Sequence, residues 1–228
     1  MSSVIFYGQV PSIKHFMEIS DIDDVLRTTD ITQYIDFYAK HDKGRIYALH
    51  ESQVPKMSDH NPWSYITATV SSSRLDVRNL QPAMDKARCV KSEYEVKMIK
   101  KANQITAQAH TNVLKGIHSF RNETEIEAVF TATCIAHQAK NQAYGVIAGS
   151  GPNASTLHYE ANKDPLAGRQ VVCLDAGCEW KDYASDVTRS FPISGEWSKE
   201  AKAIYDIVDR MQQECIDMVK PGVDYRYV

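Results

Sequence analysis

The feature that most constrains the fold is a long segment in which apolar residues recur at helical spacing. From Val96 to Val113 they follow one another every three or four positions, the period of an amphipathic helix that buries one face. Ser92 and Glu95 have the spacing of a capping box at the start of this segment, and Gly116 ends it. The pattern predicts a helix that must pack against another element of the chain.

The pattern changes after a second predicted helix. Thr124 and Glu127 have the same capping spacing, and the helical period continues to just before Asn141. Beyond that point, short apolar runs alternate with turn residues, which predicts strands of a sheet. These runs are 144–148, 157–159 and 171–174. Two amphipathic helices followed by a sheet predict an α+β fold.

A third helix is predicted near the end of the sequence. Ser198 opens it, and Lys220-Pro221-Gly222 stops it. Its apolar positions form one stripe, which we expect to be the buried face. The stripe consists of Ile204, Tyr205, Val208, Met211, Cys215, Met218 and Val219.

The composition changes near residue 88, which divides the chain into two predicted domains. Residues 1–88 mix short apolar runs with turn formers and carry no catalytic signature. Strands are predicted at 4–7 and 45–49, and a short helix at 13–19, so we expect a small, partial α/β domain. Residues 89–228 form the second predicted domain.

Composition restricts the partners and the compartment. Lys and Arg number 26 against 29 Asp and Glu, a net charge of −3 without long charged blocks, so we expect no nucleic-acid partner. No apolar run approaches the roughly 18 residues of a membrane helix, and we expect no membrane association. The five cysteines are odd in number and form no Cys-x-x-Cys pair. They are typical of reduced thiols, which favours a cytoplasmic protein.

Two aspartates lie on neighbouring predicted strands. Asp175 ends the apolar run 171–174, and Asp186 lies 11 positions later in an alternating stretch. Opposed residues of an antiparallel hairpin have numbers with a constant sum, so an odd spacing allows the two aspartates to face each other. The turn would then centre between Trp180 and Lys181. This register predicts two carboxylates on one face, about 5 Å apart at Cβ.

Two carboxylates placed in this way repel each other. Sharing a site raises one pKa strongly unless another group compensates for the charge. A divalent cation would compensate, and pairs of metal ions bridged by carboxylates are a known hydrolytic device. An ion pair between an aspartate and Arg189 is the structural alternative, and the spacing leaves both interpretations open.

The surrounding motifs occur in a specific order. The loop Gly149-Ser150-Gly151-Pro152-Asn153 lacks the third glycine of a dinucleotide loop and precedes a predicted strand, so we reject a nucleotide site. Tyr144 precedes this loop, His158 follows it, and the sequences Leu-Asp-Ala-Gly, Ser-Asp-Val-Thr-Arg-Ser-Phe-Pro and Lys-Pro-Gly come later. This order, from about residue 88 to 223, resembles the pita-bread metallopeptidases of the aminopeptidase P and prolidase group.

The resemblance implies roles for five residues. Asp175 and Asp186 match ligands of a binuclear metal centre, commonly with two Mn²⁺ ions, and an oxygen-rich ligand set suits such a hard cation. His158 matches a histidine that contacts the substrate or assists proton transfer. Thr188 resembles a group that orients Asp186, and Tyr144 resembles a residue of the pocket wall that binds the substrate.

The resemblance also implies a reaction. In the family, metal-activated hydroxide attacks the carbonyl that precedes proline and releases the N-terminal residue of a proline-containing peptide. The Xaa-Pro amide has no N–H and a fixed φ, so recognition requires a pocket for the proline ring. A homodimer is the assembly that we expect of the complete protein.

The sequence departs from the family where the second half of the catalytic domain should follow. Family members complete the metal centre with a histidine and two glutamates from a second, pseudo-symmetric half, whereas this sequence ends at Val228. We therefore interpret the chain as an incomplete pita-bread half-domain, preceded by a partial α/β domain. We expect little or no activity from it alone and an exposed apolar face where the second half would pack.

Two alternatives remain open. The first is an Xaa-Pro dipeptidase, or prolidase, because the residues that limit peptide length are not identifiable in this sequence. The second is a pita-bread module that binds peptides or proteins without catalysis. The presence of both Asp175 and Asp186 favours a metal-dependent enzyme over such a module.

Overall fold

The structure is a computed structural model that describes residues 11–41, 44–49 and 62–228. Contacts divide the chain into two compact units, residues 1–90 and 91–228. The strand predicted at 4–7 lies outside the described residues. None of the helices in the described ranges is both long and apolar enough to cross a membrane.

The first unit combines short helices with a small parallel strand pair. Its helices are α1 (Ile13–Ile19), α2 (Ile31–His41), α3 (Pro62–Thr69) and α4 (Leu80–Cys89), and its strands are β1 (Ile46–Tyr47) and β2 (Leu75–Asp76). The helix predicted at 13–19 is confirmed, and the Ser12 hydroxyl caps it by accepting a hydrogen bond from the His15 N–H. The pairing of Ile46 with Leu75 sets the parallel register of β1 and β2.

The second unit begins with the two long helices predicted from the sequence. Helix α5 spans Glu93–Gly116 and starts with the predicted capping box. Helix α6 spans Glu123–Ala136, but the predicted cap at Thr124 is wrong. Asn122 caps the helix through its Oδ1, because the Thr124 hydroxyl donates instead to the carbonyl of Asn162, 2.6 Å away.

An antiparallel sheet follows the helices. Strand β4 (Val171–Ala176) lies between β3 (Ile147–Ser150) and β7 (Val187–Pro192), and a short hairpin of β5 (Glu179–Trp180) and β6 (Tyr183–Ala184) extends β4 and β7. The strand predicted at 157–159 is wrong. A 3₁₀ helix at Gly151–Ser155 leads instead into a turn at 157–158, and the Tyr159 hydroxyl donates to the carboxylate of Glu123.

The core of the second unit lies between one face of the sheet and the two long helices. Val172, Leu174 and Ala176 alternate along β4 and are completely buried, in one cluster with Ile105 of α5 and Phe130 of α6. The intervening side chains of β4, including Asp175, point to the opposite face and are only half-buried. The period of two along β4 therefore separates the packing face from the face that carries the aspartate.

Helix α7 (Lys199–Met218) begins at Ser198 as predicted, but its apolar stripe is not buried. Ile204 is 65% exposed and Met211 is 59% exposed, and α7 contains no buried residue. The period of 3.6 marks a face suited to burial, but the described part of the chain provides no surface that covers it. The prediction of a buried inner stripe is therefore wrong for this chain.

Candidate metal centre

The two aspartates are carried by one long hairpin whose turn is displaced from the predicted position. Trp180 pairs with Tyr183, so Lys181 and Asp182 alone form the turn, with φ of +48° and +67°. A two-residue turn with positive φ at both positions is type I′, which matches the twist of the strands. This turn lies one residue later than predicted, and Asp175 therefore pairs with Thr188 rather than with Asp186.

The two carboxylates converge despite this correction. Because the register moved by two residues, Asp186 remains on the same face of the hairpin as Asp175, one diagonal step away. The hydroxyl of Tyr144 lies between them, 2.5 Å from Oδ1 of Asp175 and 2.9 Å from Oδ1 of Asp186. The predicted placement of both acids on one face is confirmed, and their direct pairing is not.

A glycine allows the hairpin strands to come close beside the aspartates. A Cβ atom on Gly177 would lie 1.8 Å from the carbonyl oxygen of Ser185, so no side chain fits at this position. The Ser185 hydroxyl accepts a hydrogen bond from the Cys178 N–H at 3.0 Å and contacts the hydroxyl of Thr106 on α5 at 2.7 Å. These contacts fix the hairpin to α5 at the level of Asp186.

A histidine of α5 supports the same strands from the packing side. The ring of His110 is almost fully buried, and its Nε2 lies 3.1 Å from the carbonyl oxygen of Val187, the residue after Asp186. The edge of this ring packs against Phe130, with a centroid distance of 5.3 Å. Burial, the largest effect, lowers the pKa of His110, which favours a neutral ring that holds β7 in place.

The charges around Tyr144 are not balanced by the phenol. Burial raises the pKa of Tyr144, and its hydrogen bonds to the two aspartates raise it further, so the phenol stays protonated. A hydroxyl has one proton and donates to one carboxylate at a time. The second carboxylate therefore lies close to the phenol oxygen without receiving a hydrogen bond from it. A cation bound by both aspartates would balance their negative charge.

The chemistry of the donor oxygens fits a hard divalent cation. Carboxylate oxygens are the ligands that Mg²⁺, Ca²⁺ and Mn²⁺ prefer. Within the described ranges, no group of three or more His, Cys, Asp or Glu side chains is close enough to hold a metal ion. Asp175 and Asp186 therefore fit part of a ligand set.

The alternative of an ion pair with Arg189 is wrong. Arg189 pairs with Leu174 in the sheet register, so its side chain alternates with Thr188 and points away from the aspartate face. Its Nη1 donates to the carbonyl of Thr188 at 2.7 Å. In the part of the chain that the structure describes, neither aspartate forms an ion pair with it.

The structure brings three of the five predicted site residues into contact, namely Tyr144, Asp175 and Asp186. The other two, Thr188 and His158, form no side-chain hydrogen bond with these three among the described residues. Thr188 lies opposite Asp175 and lines a groove of about 510 Å³ between β7 and α7. Among the hydrogen bonds of the described residues, none links Thr188 to Asp186, and none links His158 to either aspartate. His158 lies in the exposed turn after the 3₁₀ helix.

Sequence reasoning missed a buried glutamate next to the His158 turn. Glu123 is completely buried at the first position of α6, and its carboxylate accepts hydrogen bonds from Ser150, Asn153, Tyr159 and Asp164. Burial alone would raise the pKa of Glu123, but the hydrogen bonds from Ser150 and Tyr159 lead the effects that lower it to about 2. An acidic residue at a helix start has an ordinary explanation in the helix dipole, so the sequence offered no separate signal for this network.

Solved structures that match this fold include several of Escherichia coli aminopeptidase P. Its low-pH form matches with a TM-score of 0.83 and 28% identity, over 96% of this chain and 51% of that chain. A zinc-substituted form in complex with product matches with a TM-score of 0.81 and 26% identity. The fold and the site define the class, a partial catalytic domain of a metallopeptidase, and the predicted α+β, partial pita-bread fold is confirmed.

The chain belongs to metallopeptidase family M24, whose sequence model matches residues 97–228. Its relatives include a "Probable Xaa-Pro aminopeptidase" of Botryotinia fuckeliana, 56% identical over 98% of this chain. Another, from Sclerotinia sclerotiorum, is 55% identical over 99% of this chain. The chain spans 41% of the length of each of these two relatives. By family it is a metallopeptidase, and it corresponds to part of the length of its relatives.

Proposed function

We propose that this chain is part of an Xaa-Pro aminopeptidase that releases the residue before proline from the N-terminus of peptides. The observation that carries the proposal is the convergence of Asp175 and Asp186 on the hydroxyl of Tyr144. The names of the relatives support an aminopeptidase over the dipeptidase. Because a binding module has no need for two converging acids, their geometry supports catalysis over binding alone.

In this proposal, Asp175 and Asp186 contribute ligands to two divalent cations. In the complete site both cations are Mn²⁺. Bound cations of this type acidify water and polarise a carbonyl group. Tyr144 keeps its proton and fixes the orientation of both carboxylates, while Thr188, opposite Asp175, restricts the space beside them. His158 contacts the substrate or moves a proton at its imidazole, and the free cysteines of the described chain support a cytoplasmic location.

Metal binding tests the role of the two aspartates. Titration of the purified 228-residue chain with Mn²⁺, followed by electron paramagnetic resonance, should show binding that Asp186→Asn weakens at least about tenfold, because one of two charged ligands is lost. Asp182→Asn is the matched control, because Asp182 lies in the turn of the same hairpin and its substitution removes the same charge. Equal weakening in both variants would contradict a specific metal role for Asp186.

Peptide hydrolysis tests the proposed dependence on further residues. With added Mn²⁺, the purified chain should cleave Xaa-Pro peptides little or not at all, because the described part of the chain offers only two acidic ligands at the site. A longer protein that contains this sequence should cleave a tripeptide with proline in the second position. Rapid turnover by the 228-residue chain itself would show that its residues suffice, and a longer protein that cleaves only dipeptides would favour the dipeptidase.

A further inference from the structure

Glu123 is a buried acid that the proposed reaction does not use. Its side chain is completely buried, although it begins helix α6, where acidic residues are usually exposed. A buried carboxylate is unfavourable unless hydrogen bonds and nearby charges compensate for its lost hydration. The position therefore requires an explanation in terms of the groups that surround it.

Both oxygens of this carboxylate accept several hydrogen bonds. Oε1 accepts from the N–H and the hydroxyl of Ser150, at 2.8 and 2.7 Å, and lies 3.0 Å from Nδ2 of Asn153. Oε2 accepts from the hydroxyl of Tyr159 at 2.7 Å and from the N–H of Asp164 at 3.0 Å. One side chain thus joins the end of β3, the 3₁₀ helix and the loop that follows the His158 turn.

A charged pair supports this network from outside. Nη2 of Arg169 lies 2.8 Å from Oδ2 of Asp164, and Nη1 of the same residue donates to the carbonyl of Ser150 at 2.5 Å. The Arg169 side chain is only 18% exposed, so solvent screens this contact weakly. The guanidinium therefore links two of the segments that Glu123 joins from the inside, the end of β3 at Ser150 and the loop at Asp164.

The segment enclosed by these contacts contains His158. Asn153 lies before the histidine and Tyr159 directly after it, and both side chains reach the carboxylate of Glu123. In the described structure the imidazole itself lies in an exposed turn, so its position depends on how its neighbours are held. We propose that Glu123 is a positioning residue that fixes the backbone on both sides of His158, a role that rests on the function proposed above for that histidine.

The variant Glu123→Gln tests this role with almost no change in volume. The amide keeps one acceptor oxygen for Ser150 but places an NH₂ group toward the N–H of Asp164, which loses its acceptor. We expect the Asp164 amide to exchange with solvent about 10- to 100-fold faster, the range that loss of a hydrogen bond to a charged group implies. We also expect the backbone order parameter of His158, measured by ¹⁵N relaxation, to fall from about 0.85 to below about 0.6.

Ile126→Val is the matched control, because Ile126 is also completely buried on α6 but its aliphatic side chain forms no hydrogen bond with the network. It should lower global stability and leave the order of His158 unchanged. If Glu123→Gln does not fold, Tyr159→Phe removes one donor of the network and should lower the His158 order parameter in the same direction, by a smaller amount.

Three results would overturn the proposal. They are a disordered His158 in the unchanged chain, an unchanged order parameter in Glu123→Gln, and an equal loss of order in Ile126→Val. All measurements are made without metal or peptide. A failure of the Xaa-Pro activity would therefore leave these readouts unaffected, and the two proposals can be rejected separately.

Discussion

Replacing Gly177 by alanine should destabilise the hairpin that carries both aspartates. The new Cβ would lie 1.8 Å from the carbonyl oxygen of Ser185, the residue that precedes Asp186 on the neighbouring strand. Carbon and oxygen atoms that are not bonded approach to about 3.3 Å at the closest. The two strands must therefore separate by about 1.5 Å, because both atoms in conflict belong to or are fixed by the backbone.

The cost follows from the hydrogen bonds at this level of the hairpin. The Ser185 N–H donates to the carbonyl of Cys178 at 3.0 Å, and a displacement of about 1.5 Å breaks this bond. Both residues are buried, so each unpaired group costs about 1–3 kcal/mol. We expect Gly177→Ala to lower the free energy of unfolding by about 3–5 kcal/mol, a large part of the roughly 5–15 kcal/mol typical of a domain.

Urea denaturation followed by tryptophan fluorescence measures this loss, with Gly168→Ala as the control. Gly168 has a φ of +76°, and among the described residues no atom beyond its chain neighbours lies within 4 Å of the position that a Cβ would occupy. Alanine there adds backbone strain of about 1 kcal/mol and no collision. At a typical slope of about 2 kcal/mol per molar urea, Gly177→Ala should lower the midpoint by about 2 M. A loss no larger than that of Gly168→Ala would refute the close approach of the two strands.

Three further predictions concern the core, the buried acid and helix α7. Phe130→Ala should lower the free energy of unfolding by about 3–5 kcal/mol in urea denaturation, because the ring is completely buried; a loss under about 1 kcal/mol would contradict its place in the core. The lowered pKa of Glu123 stabilises the fold above pH 4.5, and this contribution of about 3 kcal/mol should disappear as the pH falls from 4.5 to about 2. Glu123→Gln should remove this part of the acid dependence of stability, and an unchanged profile would contradict it. Met211→Lys should reduce self-association in sedimentation velocity, whereas Gln213→Lys, on the other side of α7, should not. If the chain without substitutions is monomeric at high concentration, the exposed apolar stripe of α7 does not mediate self-association.

The helices of the second unit were predictable because their signals are local. The capping box of Ser92 and Glu95 depends only on residues three positions apart, and Gly116 ends the helix where the apolar stripe stops. The start of α6 has two candidate caps, since Asn122 and Thr124 both have side chains suited to that position. The carbonyl of Asn162 decides between them, because it accepts a hydrogen bond from the Thr124 hydroxyl. The two residues are close in space but 38 positions apart in the sequence.

The network of Glu123 could not be predicted for the same reason. Its donors lie between 27 and 41 residues away in the sequence, on a strand, a 3₁₀ helix and a loop. Nothing in the local sequence distinguishes this glutamate from Glu125, which occupies the same first turn and accepts a hydrogen bond from the nearby N–H of Arg121. The distant partners become visible only when the tertiary fold brings these segments together.

The register of the hairpin shows which part of a site prediction is robust. Type I′ turns are usually marked by Asn-Gly or Asp-Gly, whereas here Lys181 and Asp182 adopt positive φ without a glycine, so the turn position had no sequence signal. An error of one residue in the turn changes the paired numbers by two, and a shift of two leaves every side chain on its original face. The convergence of Asp175 and Asp186 therefore depends on their odd spacing, which can be counted along the chain, and on a turn centred between two residues, but not on which of these turns forms. A turn centred on a single residue would have changed the paired sum by one and moved Asp186 to the packing face, where the hydroxyl of Tyr144 could not reach both acids.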